Sequence, residues 1–252
     1  MLFEKAYTHL YLKELDIAIA ALPKAFEGYK IAQLSDVHLN AQTPLHALSA
    51  LVERLNALEL DMIALTGDLF DAHPDSLSPQ LRLLKQLHHP VYFVSGNHDL
   101  VHAKDALSKT IAYLGFVMMD NQKCLLEKSG EQIQLLGFSD AYSRYFGIRR
   151  PIKTLLKSLD TSLPTLLLAH QPKDFRFSEN IPIVLQLSGH THAGQIFPFH
   201  YVVRLFQPYL YGLHRQENRQ LYVTSGYGSW GIKMRFLAPS EVAIITLKKH
   251  YM

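Results

Sequence analysis

Five apolar runs in this chain each end in a small polar cluster. They are YKIAQLSDVH (Tyr29–His38), DMIALTGD (Asp61–Asp68), PVYFVSGNHD (Pro90–Asp99), PTLLLAH (Pro164–His170) and IPIVLQLSGHTH (Ile181–His192). Short continuous apolar runs bounded by turn residues suit strands buried on both faces. Helical patterns lie between the first three. In TPLHALSALVERLNALE, Thr43 is placed as N-cap, Pro44 opens the helix, and Leu45, Leu48, Val52 and Leu55 form one stripe. SPQLRLLKQLHH repeats the device with Ser78 and Pro79. This alternation of strand and helix predicts a parallel sheet.

The later sequence predicts further strands. QKCLLEKSGEQIQLLGFSD reads as two strands joined by a turn at Lys128-Ser129-Gly130, and PIKTLLKSLD as a short helix opened by Pro151. QLYVTSG (Gln220–Gly226) and EVAIITLKK (Glu241–Lys249) complete a second sheet. With no repeat or long linker, residues 1–252 are expected to form one domain with its core over about 29–247. A hydrophobic fraction of 48% is enough for a substantial core. The single cysteine, Cys124, cannot make an internal disulfide and is read as a packing residue of a reducing compartment. The longest apolar stretch near the N-terminus, Ile17–Pro23, is too short to span a bilayer. A net charge of +3 without a basic run speaks against nucleic acid.

The polar ends carry the chemistry. In sheets built from strand–helix–strand units, ligands bind beyond the carboxyl ends of the strands. There the runs place Asp36, His38, Asp68, Asn97, His98, His170, His190 and His192. His190 and His192, like Asp36 and His38, are two residues apart, so an extended backbone would aim each pair to one side. Taken singly, an Asp after a strand is a turn or cap residue, and a lone His is a surface or core residue. Together, Asp36, His38, Asp68, Asn97, His170, His190 and His192 offer two carboxylates, one amide oxygen and four imidazoles. Left unpaired, such a buried group would cost several kcal/mol. Seven donors exceed the needs of one first-row ion and suit two sharing a bridging carboxylate, for which Asp68 is placed.

The order DVH, GD, GNHD, H, GHTH resembles the calcineurin-like metallophosphoesterases, over roughly Tyr29 to Leu247. GQIFPF and LYVTSGYGSWGIKMRFLAPSEVAIITL look most like the bacterial membrane-associated phosphodiesterase branch. The sequence departs from the family at Ala193, where a second glycine is usual, and has no hydrophobic N-terminal run of the kind many members of that branch use as an anchor. The resemblance implies a four-layer α/β/β/α sandwich, two mixed β-sheets flanked by helices. It implies two divalent metal ions (Mn, Fe, Zn or Co): one held by Asp36, His38, Asp68 and His192, the other by Asp68, Asn97, His170 and His190. It further implies hydrolysis of a phosphate ester, a phosphodiester or a monoester, by a metal-bridging hydroxide attacking phosphorus in line.

Other roles are expected near this set. His98 is the candidate general acid for the leaving group, with Asp99 orienting it or capping a helix. Asp71 is read as a cap before AHPD that could instead orient a ligand, Arg235 as a loop tie that could also touch substrate phosphate, and Tyr227 and Trp230 as possible pocket linings. The other nine histidines follow no ligand spacing and are read as surface or packing residues.

The segment FPFHYVVRLFQPYLYGLHR, Phe197–Arg215, is aromatic, apolar and basic. It reads as a loop and short helix packed over the sheet edge, or as a lid that meets a lipid. Exposure of Phe197, Phe199, Tyr201, Val202, Leu205 and Phe206 would favour the second. The expected protein is therefore a cytoplasmic phosphoesterase, peripheral to the inner face of the membrane if 197–215 touches lipid, with no obligate protein partner. A lipid-linked phosphate or pyrophosphate substrate is the alternative to a soluble one. A non-catalytic scaffold on the same fold is disfavoured by the complete donor set with His98 present.

Overall fold

The apolar runs become strands because each is flanked by residues that stop it, and helices fill the spaces between. The structure is a computed structural model that describes residues 3–5, 7, 10–179 and 181–249. In chain order its first half comprises β1 (Phe3–Lys5), β2 (Tyr11–Ile19), β3 (Lys30–Leu34), α1 (Leu45–Asn56), β4 (Met62–Thr66) and α2 (Ser78–Leu84). Then come β5 (Val91–Val94), α3 (Asn97–His102), α4 (Leu107–Leu114), β6 (Val117–Met118), β7 (Gln122–Lys128) and β8 (Glu131–Phe138). The remainder is α5 (Ile152–Lys157), β9 (Thr165–Ala169), β10 (Ile183–Ser188), α6 (His200–Phe206), β11 (Gly212–Gln216), β12 (Arg219–Val223), β13 (Met234–Phe236) and β14 (Glu241–Lys249).

Two six-stranded sheets result, ordered β2-β14-β3-β4-β5-β6 and β11-β12-β10-β9-β8-β7. In the first, β3, β4, β5 and β6 are parallel and β14 enters antiparallel to β3. In the second, β8, β9, β10 and β12 are parallel, with β7 and β11 antiparallel at the edges. Both sheets are mixed, as expected. The central strands β4 and β9 are buried along their whole length, which is what unbroken apolar runs require.

Three apolar layers hold the sandwich. Ile31, Met62 and Ala64 of the first sheet face Leu135, Leu166 and Leu185 of the second, and half-buried Cys124 packs against this layer. Leu48, Leu51 and Val52 of α1 with Ile111 of α4 cover the outer face of the first sheet. Leu155 and Leu156 of α5 cover Leu136 and Leu167 on the second. Helix, sheet, sheet, helix is the four-layer order.

Local details differ from expectation. Thr43 does not cap α1: Pro44 holds the N-cap, and Thr43 Oγ1 accepts instead from Asn40 N at 3.0 Å. Leu77, not Ser78, caps α2. The edge strand β2 was not predicted; Lys13, Glu14 and Asp16 interrupt its apolar residues, and it pairs with β14 along nine positions. Asn97, His98 and Asp99, read as the end of a strand, instead open α3. No helix among the described residues is long and apolar enough to cross a membrane.

Candidate metal centre

The carboxyl ends of β3, β4, β5, β9 and β10 emerge along one edge, so all seven candidate donors follow these strands, six in the turns that leave them and Asn97 as the first residue of α3. Two cross-sheet bonds, with one inside the first sheet, fix that edge. Gln33 Nε2 donates to Thr66 Oγ1 at 3.1 Å and to Ser188 O, on the other sheet, at 2.9 Å. His170 Nδ1 donates to Thr66 O across the sandwich at 2.8 Å. The chain turns sharply where the donors sit: Asp36, His38, Asp68, His190 and His192 all have φ between 51° and 72°. Non-glycine residues rarely adopt this region, and each costs about 1–3 kcal/mol unless the surroundings impose it. Glycines make room for the carboxylates. A Cβ on Gly96 would collide with the Asp68 side chain, and one on Gly189 with that of Asp36.

The donors form two adjoining groups, Asp36–His38–His192 and Asp68–His170–His190. In the first, His192 Nε2 lies 3.3 Å from Asp36 Oδ1 and 3.0 Å from His38 Nε2, and His38 Nε2 lies 3.9 Å from Asp36 Oδ1. In the second, His170 Nε2 is 3.1 Å from Asp68 Oδ2 and 3.2 Å from His190 Nδ1. Asp68 Oδ2 stands between the groups, 4.0 Å from His38 Nε2. Bonds near 2.0–2.2 Å to one ion place its ligand atoms roughly 3 Å apart, so these separations suit a cation in each group.

Tautomers can be assigned from the outer nitrogens. His38 gives its Nδ1 proton to Asp71 Oδ1 at 2.8 Å, and His170 gives its own to Thr66 O. Each therefore turns an Nε2 lone pair into the site, the arrangement of a metal-ligating imidazole. Asn97 supplies an independent sign: its Oδ1 is buried without a hydrogen-bond partner and lines the same cleft as Asp68 and His190. Such an oxygen costs free energy unless a cation meets it. The residues present therefore fit two divalent cations.

Charge follows the same division. Burial would raise the Asp36 carboxyl, but the facing His192, His170 and His38 override it and hold it well below the usual range. Burial likewise opposes, and His170, His38 and His98 win, in lowering Asp68. His170 would be lowered by burial, yet the Asp68 and Asp36 carboxylates raise it well above an ordinary imidazole. Burial and the neighbouring His170 depress His190 to about 3. Burial, aided by His38 and Arg235, depresses His192 to about 4 against the pull of Asp36. At neutral pH the acids are thus ionised and His190 and His192 neutral, while His170 must release a proton for a cation to enter.

Around this core several roles are corrected. Asp99 does not orient His98. Its Oδ2 accepts from Gly96 N at 2.8 Å and its Oδ1 from Phe70 N at 2.9 Å, the work of a helix cap; burial, then the Asp68 charge, push its pKa up to about 8. Asp71 takes the ligand-orienting alternative rather than the cap: it is the partner of two imidazoles, with His98 Nδ1 lying 2.7 Å from the Oδ1 that His38 engages. The His98 contact is close but off the line of a good hydrogen bond, and the His38 contact is aligned. His98 itself lines the cleft; Asp71 and Asp68 raise its pKa against the effect of burial.

Tyr227 and Arg235 do not face substrate. Tyr227 is buried with its ring edge against Tyr7 and its hydroxyl donating to Ala47 O at 3.1 Å. Arg235 is buried among the carbonyls of Ser225, Gly228, Ala238 and Pro239, with Nη2 also 3.1 Å from His192 Nδ1. It ties the glycine-rich loop behind the site. The side chain that does reach the cleft from that loop is Trp230. Of the other nine histidines, His9 and His250 lie outside the described residues, and none of the rest belongs to a candidate metal group.

The cleft, about 380 Å³, is polar on one wall, where Asp68, Asn97, His98, His190 and His192 stand. The other wall is Phe199, Val202, Val203, Phe206 and Trp230. All six side chains named above as diagnostic are exposed, from Val202 at 43% to Leu205 at 80%.

Fold and donors together define an α/β sandwich metalloprotein with a two-group centre at the common edge of its sheets. The chain belongs to the calcineurin-like phosphoesterases, whose family model matches residues 29–194. It is 39% identical over 241 residues to an uncharacterized metallophosphoesterase of Helicobacter pylori, a match covering 94% of this chain and 63% of that one. It is 31% identical to the uncharacterized metallophosphoesterase YkuE of Bacillus subtilis over 93% of this chain and 84% of the other. It is also 32% identical to a zebrafish transmembrane protein with metallophosphoesterase domain, covering 94% and 57%. The chain thus spans about three-fifths of the length of the Helicobacter relative. Among solved structures, a zebrafish dimetal phosphatase superposes with TM-score 0.58 at 10% identity, covering 81% of this chain and 90% of that one. A 5'-nucleotidase precursor from Thermus thermophilus gives 0.56 at 14%, covering 86% and 54%. At such identities the likeness is one of fold.

Proposed function

We propose that this metallophosphoesterase domain is a hydrolase of phosphodiesters. The observation that carries the reading is the complete donor set, Asp36, His38, Asp68, Asn97, His170, His190 and His192, with His98 at the mouth of the same cleft. Two divalent cations held there would activate a water and offset the charge that develops on the phosphoryl oxygens. Asp68 is placed to be shared between them, because its Oδ2 stands between the two groups. Asp71 holds His38 in one tautomer and keeps a proton on His98 favourable. His98 can then protonate the departing alkoxide.

Preference for a diester is supported by what the cleft lacks. None of its lining residues is Lys or Arg. A monoester dianion leaves more charge to be matched than a diester monoanion, and the apolar wall has room for a second substituent. That wall also favours a second reading, a lipid-linked phosphate or pyrophosphate presented at a membrane surface; the relatives from zebrafish and cow named as transmembrane proteins are in keeping with it. The test is hydrolysis of bis(p-nitrophenyl) phosphate against p-nitrophenyl phosphate by protein loaded in turn with Mn, Fe, Zn or Co. A higher kcat/KM for the diester is expected. Absence of hydrolysis of both by metal-loaded protein would sink the reading.

A further inference from the structure

We infer that α6 and the loop after Trp230 form a docking surface for the headgroup region of an anionic lipid bilayer. The inference rests on the surface alone and does not depend on the reaction proposed above. α6 contributes no buried side chain, although five of its seven residues are apolar or aromatic. A helix of this composition normally keeps its place by burying such a face against a core. Here the helix rests against the His192–Gly194 turn and leaves most of its apolar side chains exposed. The metal cleft lies on one side of it, and a cavity of about 640 Å³ that includes His200, Arg204 and Tyr211 lies on the other.

The exposed apolar residues are contiguous. Phe199, Val202 and Phe206 meet Trp230 around the metal cleft, and Phe199 and Trp230 continue with Ile232 around an adjoining hollow of about 410 Å³. Leu205, 80% exposed, projects beyond them, with Ile232 at 64%. Apolar patches of this extent mark interaction sites on soluble surfaces.

Charge selects the partner. Residues 195–216 and 226–240 contain no Asp or Glu, whereas Arg204 and Lys233 are exposed among the apolar side chains. Lys233 Nζ meets the neutral side chains of Asn40 and Gln42, which leave its charge unmatched. Aromatic and aliphatic side chains rimmed by cations and free of carboxylates suit the boundary between acyl chains and anionic headgroups, which exposed rings such as those of Trp230 and Tyr201 favour. A protein interface would gain from acidic residues at some positions of the rim. The metal cleft opens at the foot of this patch, so docking would set the site at headgroup depth.

The test is co-sedimentation of the protein with phosphatidylcholine vesicles, with and without phosphatidylglycerol, before and after chelation. Binding to the phosphatidylglycerol vesicles is expected, weakened by salt and retained after chelation. Leu205→Asp should reduce it roughly tenfold, and Arg204→Glu should reduce it on the anionic vesicles only. Both variants should keep the wild-type far-UV circular dichroism and hydrolysis of a soluble aryl diester, because neither residue lines the metal cleft. Equal binding by wild type and Leu205→Asp overturns the inference, as does absence of wild-type binding. A vesicle-independent dimer that Leu205→Asp dissociates, seen by sedimentation velocity, overturns it in favour of a second copy of the chain. Loss of hydrolysis with vesicle binding intact leaves this inference standing and counts against the proposed reaction instead.

Discussion

His38 donates its Nδ1 proton to Asp71 Oδ1 at 2.8 Å, so a residue outside the donor set decides which nitrogen of a donor faces the site. The same carboxylate lies beside His98. Asp71 is therefore a positioning residue for both the cation site and the candidate acid. Removing such a partner typically costs 10–100-fold in metal affinity. Asp71→Ala should show that loss in metal titrations and should shift the alkaline limb of the kcat profile, set by deprotonation of His98, to lower pH. Unchanged metal affinity with an unchanged pH profile would contradict the assignment.

His98→Ala separates proton donation from cation binding. Turnover of an ester with a poor leaving group should fall about 10²–10⁴-fold. An aryl ester, whose phenolate needs little help to depart, should lose much less. Metal content, measured by elemental analysis, should stay near that of the wild type. A variant that loses its metal together with its activity shows His98 to be a ligand.

Removing the cations should destabilise the fold. The left-handed donors and the buried Asn97 Oδ1 are features whose cost a bound cation offsets. Ligand-linked stabilisation is about 4 kcal/mol at a thousand times Kd. Chelated protein should melt several degrees lower and recover on adding Mn or Zn. Asp68→Ala should melt near the chelated value and respond weakly to metal, because it removes the carboxylate between the two groups. Identical melting with and without chelation would show that no cation binds the native state.

A second pH effect lies outside the site. Burial raises the Asp120 pKa from 3.8 to about 6 against the hydrogen bonds from Ser95 N at 2.8 Å and Ser95 Oγ at 2.6 Å. The folded form keeps the proton over a range in which the unfolded chain has released it. Asp120 therefore stabilises most below about pH 4, and that contribution is lost as pH rises to about 6. Asp120→Asn retains both Ser95 contacts without the charge. Relative to this variant, the wild type should lose on the order of 1–2 kcal/mol between those pH values in denaturant titrations, a figure held low because Asp120 is partly exposed. Parallel stability curves would refute the shift.

Arg235→Ala tests whether that residue is structural. Its guanidinium serves four carbonyls and stands against His192, so its loss should destabilise by about 3 kcal/mol or more. A stable variant with a raised KM and normal melting would restore the substrate contact that its burial argues against.

What the sequence determined by itself was local and periodic. Unbroken apolar runs specified the central strands, stripes at helical spacing specified α1 and α2, and the residues that end each run put seven donors at strand ends. Those features need only the pleat, the helical repeat and the rule that strand ends hold ligands. Tertiary structure decided everything that depends on two distant segments meeting. Asp71 and Asp99 both follow strands and both could cap a helix; only the approach of His38 and His98 to one, and of Phe70 N and Gly96 N to the other, assigns their work. Edge strand β2 was hidden because one half-solvated face dilutes its pattern with charge. Arg235 could in sequence be a loop tie or a substrate contact, and only the carbonyls of its own loop closing around it decide for the tie. The exposure of α6 likewise followed from packing, since an apolar helix in sequence is the same whether a core covers it or leaves it open. Hydrophobic period is written residue by residue, whereas the company a polar group keeps is settled by where the two sheets bring their loops together.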